Sequence, residues 1–263
     1  MEWGKQITEE NKKKIEEAKE MAIPVEIEFK SLSEVEKKRG LKVGIYGDFA
    51  TGKTHFALTA PEPIFIIDTE MGASPLAYQF KEKDIKVLDV AEKDGSKSYE
   101  KVEKAIEFIT KQDKIGTVVI DSVSDLWDYA QEYGKVNVFK IRPQDRLKQQ
   151  WDWGIINKLY LNLILRLIKL DCNLILTARE TEVYARAGEP LGIYKPKWQK
   201  NTGFWVDFVL YNSKKIDKTG VVNFNTYVEK SRPVGKLMNK KFLNLNFIKL
   251  KEEIEKLKGG IKK

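Results

Sequence analysis

The sequence predicts an α/β fold with a mostly parallel central sheet, helices on both faces of the sheet and an antiparallel hairpin near the C-terminus. Short apolar runs recur along the chain and alternate with segments of helical periodicity, which is typical of parallel strands joined by helices. A glycine-bracketed loop, GDFATGKT, lies between one such run and a helix-compatible segment. The 263 residues include no apolar run of about 18 residues, so we expect one large α/β domain and no membrane partner.

The predicted elements follow this alternation along the chain. Strands are predicted over 42–46, 64–68, 85–89, 116–121, 173–178, 204–211 and 221–229. Helices are predicted over 52–59, 98–111, 123–132, 150–170 and 247–258. Residues 134–149 and 179–203 lack such periodicity and are predicted to be loops.

The two ends of the chain differ from this core in composition. Residues 1–39 are predicted to form a charged N-terminal segment, with a solvated helix over 5–20 and an edge strand in VEIEF, residues 25–29. The α/β core is predicted over 40–246, and a basic C-terminal helix and tail over 247–263. The first residues lack the apolar stretch of a secretory signal, and the single cysteine allows no internal disulfide, so we expect a cytoplasmic protein.

Residues 47–54 fit the phosphate-binding pattern G-x-x-x-x-G-K-[ST] in its proper setting, between a strand and a helix. Gly47 and Gly52 allow the backbone to curl, so that successive N–H groups face one anion. Lys53 supplies a positive charge for the β- and γ-phosphates, and Thr54 supplies a hydroxyl to Mg²⁺. We expect a nucleoside triphosphate to be bound by Gly47, Asp48, Phe49, Ala50, Thr51, Gly52, Lys53 and Thr54.

Two carboxylates follow predicted strands and are expected near this loop. Asp121 ends the apolar run TVVID, where it can hold the hydration shell of Mg²⁺. Glu70 lies two residues beyond Asp68, where a carboxylate can orient and deprotonate the water that attacks the γ-phosphate. The alternative for Glu70 is a charged residue at a strand end that faces solvent.

The nucleotide is expected to be ATP. A guanine-specific site needs the sequence N-K-x-D, whereas residues 157–160 read N-K-L-Y and lack the aspartate. Lys53 and Glu70 are therefore the candidate catalytic residues of an ATPase, and Thr54 and Asp121 are the candidate Mg²⁺ ligands. Arg179 and Glu180 follow predicted strand 173–178 directly, and the sequence assigns a role to neither.

Positive charge is concentrated in the second half of the chain. Residues 134–263 carry 27 basic and 12 acidic side chains, against a net charge of +8 for the whole chain. The predicted loops are basic, and 179–203 sets Tyr184, Tyr194 and Trp198 among cations, a pattern typical of sequence-tolerant binding to single-stranded nucleic acid. The candidate DNA-binding residues are Lys140, Arg142, Arg146, Arg186, Lys195, Lys197, Trp198 and Lys200.

Other interpretations of this charge remain open. Lysine-rich solvated faces can keep a protein soluble without binding a polyanion. The two predicted loops, 134–149 and 179–203, can equally form a glycine-hinged lid or a surface for a protein partner.

The order of these motifs resembles the ATPase core of RecA and the archaeal RadA recombinases. It is more similar still to compact RecA-like ATPases of phages and mobile elements that act in single-strand annealing or recombination, over about residues 40–240. The resemblance implies that Glu70 is the water-activating base. It also implies that Lys230 and Arg232, in TYVEKSRPVGK, reach the γ-phosphate of a neighbouring subunit and stabilise its transition state. The implied assembly is a homo-oligomer, either a ring or a filament, with the ATP site between subunits.

Three functions are compatible with the sequence. The first is an ATP-dependent, single-stranded DNA-binding protein of recombination or annealing, whose ATPase activity is stimulated by DNA. The second is a RecA- or AAA-type ATPase that remodels a protein partner in replication or packaging, as a helicase loader does. The third is a nucleotide-gated DNA-binding module with little turnover.

Overall fold

The computed structural model describes residues 28–34, 39–186 and 188–259. The chain divides into two compact units, Met1–Lys37 and Lys38–Lys263. In the described part of the first unit, Glu34 accepts hydrogen bonds from the backbone N–H and the hydroxyl of Ser31, at 2.8 and 2.7 Å. The predicted helix 5–20 and most of VEIEF lie outside the described residues, and Glu28 and Phe29 belong to no strand.

The second unit contains the sheet and the helices that cover it. Its strands are β1 Lys42–Gly47, β2 Ile64–Asp68, β3 Ile85–Asp89, β4 Thr117–Asp121, β5 Asn173–Tyr184, β6 Pro190–Pro196, β7 Phe208–Ile216, β8 Val222–Ser231 and β9 Lys241–Leu243. Its α-helices are α1 Lys53–Leu58, α2 Gly95–Thr110, α3 Val123–Tyr133, α4 Asp152–Ile168, α5 Thr202–Trp205 and α6 Phe247–Gly259. None of the described helices is long and apolar enough to cross a membrane.

The predicted fold class is confirmed by the order of the strands, β3-β2-β4-β5-β1-β7-β8-β9. Neighbouring strands are parallel from β3 through β2, β4, β5 and β1 to β7. β8 then pairs antiparallel with β7, and β9 pairs antiparallel with β8. The C-terminal ends of β1, β2, β4 and the core part of β5 therefore lie side by side along one side of the sheet. This arrangement brings residues far apart in sequence to a common site.

Apolar side chains alternate between the two faces of the central strands and form two cores. Tyr46 packs with residues of α2, α3 and α4 on one face, whereas Val43 and Ile45 pack with α1 and α6 on the other. All six residues of β1 are buried, which is why this strand reads as an almost continuous apolar run. Helix α6 belongs to the second core: Phe247 and Leu250 are fully buried, and the Phe247 ring lies 6.0 Å from that of Phe56.

The structure corrects the prediction that 179–203 is a loop. β5 continues past the core to Tyr184 and pairs with β6, and the two strand segments Arg179–Tyr184 and Pro190–Pro196 form a projecting hairpin, which we call the arm. Gly188 and Gly192 have positive φ angles of 86° and 62°, so these glycines shape the turn and the irregular second strand. Residues 134–149 begin with one π-helical turn, Gly134–Val138, and otherwise form turns. Strand β9 and helix α5 were not predicted, and the strand predicted over 204–211 begins only at Phe208.

Candidate nucleotide-binding site

The phosphate-binding loop follows β1 directly and has the predicted curled backbone. Ala50 and Gly52 adopt left-handed φ angles of 54° and 82°. A Cβ atom on Gly47 would lie only 2.0 Å from the backbone oxygen of Asn212, so this close approach requires glycine. The side chain of Asn212 supports the loop from β7 by donating to the Thr51 carbonyl at 3.1 Å.

Lys53 is held across this loop. Its ammonium nitrogen donates to the carbonyls of Gly47 and Asp48, at 3.0 and 2.6 Å. Burial lowers the pKa of Lys53, and the nearby carboxylates of Asp121 and Glu70 act in the opposite direction. The cation is therefore positioned inside the loop, where the β- and γ-phosphates of a nucleotide would bind.

Thr54 and Asp121 form a hydroxyl–carboxylate pair beside the loop. The Thr54 hydroxyl donates to Asp121 Oδ2 at 2.6 Å, and the Thr177 hydroxyl donates to the other carboxylate oxygen. Asp121 is only 4% exposed; burial raises its pKa, and the two hydroxyl donors act to lower it. A Cβ on Gly72 would lie 3.9 Å from both Thr54 Oγ1 and Asp121 Oδ2, so glycine leaves space next to the pair.

These donors fit Mg²⁺, which prefers oxygen ligands and retains several waters. The described residues contain no cluster of three or more His, Cys, Asp or Glu side chains able to hold a metal by themselves. A cation at Thr54 and Asp121 would therefore complete its shell with water and the phosphates of the nucleotide. This is the usual arrangement of Mg²⁺ in nucleotide-hydrolysing sites.

Asp68 shapes the turn that presents Glu70. Its carboxylate accepts the backbone N–H groups of Glu70, Gly72 and Ala73 at 3.1, 3.2 and 3.0 Å. The turn is therefore fixed by the last residue of β2, and Met71 adopts a left-handed φ of 56° within it. No function was predicted for Asp68, although an Asx turn after a strand is a recognisable local pattern.

The Glu70 carboxylate lies among hydrogen-bond donors. Its Oε1 accepts from the hydroxyl of Ser122 at 2.7 Å and from Nε of Arg179 at 3.1 Å. Burial would raise the pKa of Glu70, but the Ser122 hydrogen bond and the Arg179 charge outweigh it and lower the pKa overall. Glu70 is therefore an ionised carboxylate near the loop, with a side chain that is 34% exposed, and a proton acceptor has to be ionised.

Sequence reasoning missed the partners of Glu70. Arg179 also binds both carboxylate oxygens of Asp125 at 2.8 Å, and Asp125 Oδ2 accepts from Ser122 and Thr69 at 3.0 and 3.1 Å. The cluster joins the ends of β2, β4 and β5 with the start of α3. The segment DSVSD, which continues from Asp121, was the available sequence signal.

Lys230 and Arg232 do not lie at the phosphate-binding loop of the same chain. Val209 pairs with both Gly44 and Lys230, so Lys230 lies at the level of the middle of β1. Its ammonium donates to the carbonyls of residues 203 and 206, at 2.7 Å each. Arg232 donates to the carbonyl of residue 204 and lies 3.6 Å from the Asp207 carboxylate. Both side chains thus anchor the segment around α5.

Trp198 corrects the prediction of an exposed stacking ring. Its indole is half-buried against the first core, and two ring carbons lie 2.7 and 2.8 Å from where a Cβ on Gly44 would be. The missing side chain of Gly44 thus leaves the space that the indole fills. The ring stabilises the fold, and its packed face is closed to a base.

Most of the other candidate DNA-binding cations are exposed, and two have an acidic partner. Lys197 lies 2.8 Å from Asp128, and Arg142 lies 2.9 Å from Asp145, so each has an acidic partner. The exposed residues are Lys140, Arg142, Arg146, Arg186, Lys195 and Lys200. On the arm, Tyr184 and Tyr194 are 59% and 40% exposed, and their rings are available at the surface.

The loop around Lys53, the Thr54–Asp121 pair and the ionised Glu70 on a mostly parallel sheet define a P-loop nucleotide-binding protein. Residues 39–237, most of the chain, match the family model AAA_24, described as an AAA domain. The chain therefore belongs to this AAA domain family. No curated protein matches the sequence of the chain.

Proposed function

We propose that this protein is an ATPase that couples ATP hydrolysis to binding of single-stranded DNA, as in annealing or recombination. One observation carries the proposal: β5 runs without interruption from the nucleotide site into the exposed arm. Thr177 bonds to Asp121, Arg179 contacts Glu70, and Tyr184 lies at the end of the same strand. A ligand on the arm would therefore bind to the strand that contacts the catalytic carboxylate.

The nucleotide site supplies the chemistry for hydrolysis. In this proposal, Lys53 neutralises the β- and γ-phosphates, and Thr54 and Asp121 hold Mg²⁺, which when bound neutralises further phosphate charge. Glu70 accepts the proton of the water whose oxygen attacks the γ-phosphorus, while the bond to the bridging oxygen of ADP breaks. Because its pKa is lowered, Glu70 is ionised near neutral pH and can accept that proton.

The arm has the groups that a sequence-tolerant strand needs. Arg186 and Lys195 are exposed and can follow phosphates, and the exposed rings of Tyr184 and Tyr194 can stack with bases. Lys200 lies just beyond the arm, and Lys140 and Arg146 lie on segment 134–149, all exposed. These cations account for part of the positive excess of residues 134–263.

The test is ATP hydrolysis measured with and without single-stranded oligonucleotide. We expect stimulation in the parent protein and reduced stimulation in Lys195→Ala and Arg186→Ala. Each change should also reduce the salt dependence of binding by about one phosphate's worth of counterion release. Lys251→Ala, which removes an exposed lysine from α6, is the matched control and should behave as the parent. Equal salt slopes in all four proteins would contradict a DNA surface on the arm.

A second candidate function is remodelling of a protein partner. Membership of an AAA domain family favours it, and so do the apolar side chains Leu191 and Ile193, 50% and 58% exposed on the arm. The same assay separates the two functions. ATPase activity that responds to a replication or packaging protein, and not to single-stranded DNA, would favour the second.

We further propose that the protein acts as a homo-oligomer, in which Lys230 and Arg232 contact the nucleotide of a neighbour. Their distance from the loop of their own subunit supports this, as does the partial exposure of the Arg232 side chain. Arg232→Ala should lower turnover while each subunit still binds ATP. Mixing it with Lys53→Ala should restore some activity, since some interfaces then combine an intact loop with an intact Arg232. A lack of rescue in a protein that stays monomeric with ATP would contradict the shared site.

A further inference from the structure

Arg179 makes two unequal contacts within the carboxylate cluster. Its Nη2 lies 2.8 Å from both oxygens of Asp125, whereas its Nε reaches one oxygen of Glu70 at 3.1 Å. Two carboxylates thus share one guanidinium. The shorter, double contact fixes the arginine on α3, and the longer contact reaches the turn that follows β2.

Asp125 is itself firmly held. Its Oδ2 accepts hydrogen bonds from Ser122 and Thr69, and its side chain is only 16% exposed, against 46% for Arg179. The backbone of Arg179 is fixed too, because its N–H donates to the Ser124 hydroxyl at 2.9 Å and its carbonyl accepts from Lys197 N–H at 2.7 Å. The side chain of Arg179 is therefore held both at its backbone and at its guanidinium.

Glu70 has fewer constraints than Asp125. Its backbone is fixed by Asp68, and its carboxylate accepts from Ser122 and Arg179. It also lies next to the Asp125 carboxyl, and this contact lowers the pKa of Glu70 and raises that of Asp125. Both donors bind the same oxygen, Oε1, so together they can set the direction in which the second oxygen points. The other charges acting near Glu70 are Lys53 on the loop and Asp121 at the end of β4.

We propose that Arg179, held by Asp125, is a positioning residue that fixes the orientation of the Glu70 carboxylate for hydrolysis. The inference rests on the proposed function, because it assigns Glu70 as the base. In this proposal Asp125 acts mainly by holding Arg179, through the contacts of Nη2 with both of its carboxylate oxygens. The guanidinium is essential to this role, since a lysine in its place would retain the charge but has a single nitrogen, and so could not reach Asp125 and Glu70 from the separate positions that Nη2 and Nε occupy.

The test compares Arg179→Gln, Arg179→Lys and Asp125→Asn by steady-state ATP hydrolysis over a range of pH. We expect kcat to fall about 10- to 100-fold in Arg179→Gln, with the KM for ATP within about twofold of the parent. The acid limb of its kcat profile should move to higher pH, because Arg179 lowers the pKa of Glu70 in the parent. Arg179→Lys and Asp125→Asn should lower kcat without that upward movement, since each retains a cation near Glu70.

The matched control is Arg166→Gln, which removes an arginine that bridges Glu103 and Glu107 of α2, away from the cluster. It should retain the parent kcat and pH profile. An unchanged kcat in Arg179→Gln would overturn the proposal, and so would a rise in KM without loss of kcat, which would indicate phosphate binding instead. Should Arg179→Gln fail to fold, a parent-like kcat in Arg179→Lys and Asp125→Asn would overturn it equally.

The activity of Glu70→Gln distinguishes an error in the proposed function from an error in the positioning role alone. If Glu70→Gln hydrolyses ATP at the parent rate, Glu70 is not the base, and the positioning role is lost with it. If Glu70→Gln is inactive while all three cluster variants match the parent, the base assignment stands and the positioning role alone is wrong.

Discussion

Lys53→Ala is expected to weaken MgATP binding by about 100-fold or more. The change removes the cation that the loop holds at 3.0 and 2.6 Å from the Gly47 and Asp48 carbonyls, where the phosphates would bind. A hydrogen bond to a charged group contributes up to about 3 kcal/mol, which corresponds to roughly two orders of magnitude in affinity. Calorimetric titration with MgATP measures the loss directly.

Lys83→Ala is the control for this change. Lys83 likewise donates to two backbone carbonyls, those of Leu58 and Ala60, at 2.8 and 2.6 Å, but it lies at the far end of α1. Its loss should lower the free energy of unfolding and leave ATP affinity unchanged. Tight MgATP binding by Lys53→Ala would contradict the assignment of the loop.

The central parallel strands could be predicted because burial on both faces makes them almost continuously apolar. β2 has the predicted bounds, and β1 and β4 differ by one residue. β3 also has the predicted bounds, although it is an edge strand whose residues are mostly exposed. The arm could not be predicted in the same way. Beyond Ala178, β5 leaves the core and is stabilised by pairing with β6, so the residues of the arm show no apolar pattern. Their glycines and prolines then favoured a loop.

The phosphate-binding loop, Asp121 and Glu70 could be predicted because each is local to one strand end. The contact between Arg179 and Glu70 joins residues 109 positions apart and depends on the strand order β2-β4-β5. No local motif contains that order. The environment of Trp198 also depends on a distant residue, Gly44, although a glycine inside a buried strand is a signal that another group packs closely there.

Glu70→Gln is expected to retain MgATP binding and to lower kcat by about 10²- to 10⁴-fold. The amide has nearly the shape of the carboxylate, and its oxygen can still accept from Ser122 and Arg179, which bind one oxygen of Glu70 at 2.7 and 3.1 Å. The turn itself depends on Asp68 and should not change. What the amide cannot do is take the proton of the attacking water.

Two measurements distinguish loss of the base from a general loss of charge near the loop. Glu180→Gln, one residue beyond Arg179, removes a carboxylate that lies close enough to Asp48 and Lys53 to interact with both, and it should retain hydrolysis. In the parent, kcat should fall only below the usual pH range of a glutamate, because the pKa of Glu70 is lowered and the rate is lost as pH drops through it. Near-parent turnover by Glu70→Gln, or equal losses in the two variants, would show that Glu70 is not the proton acceptor.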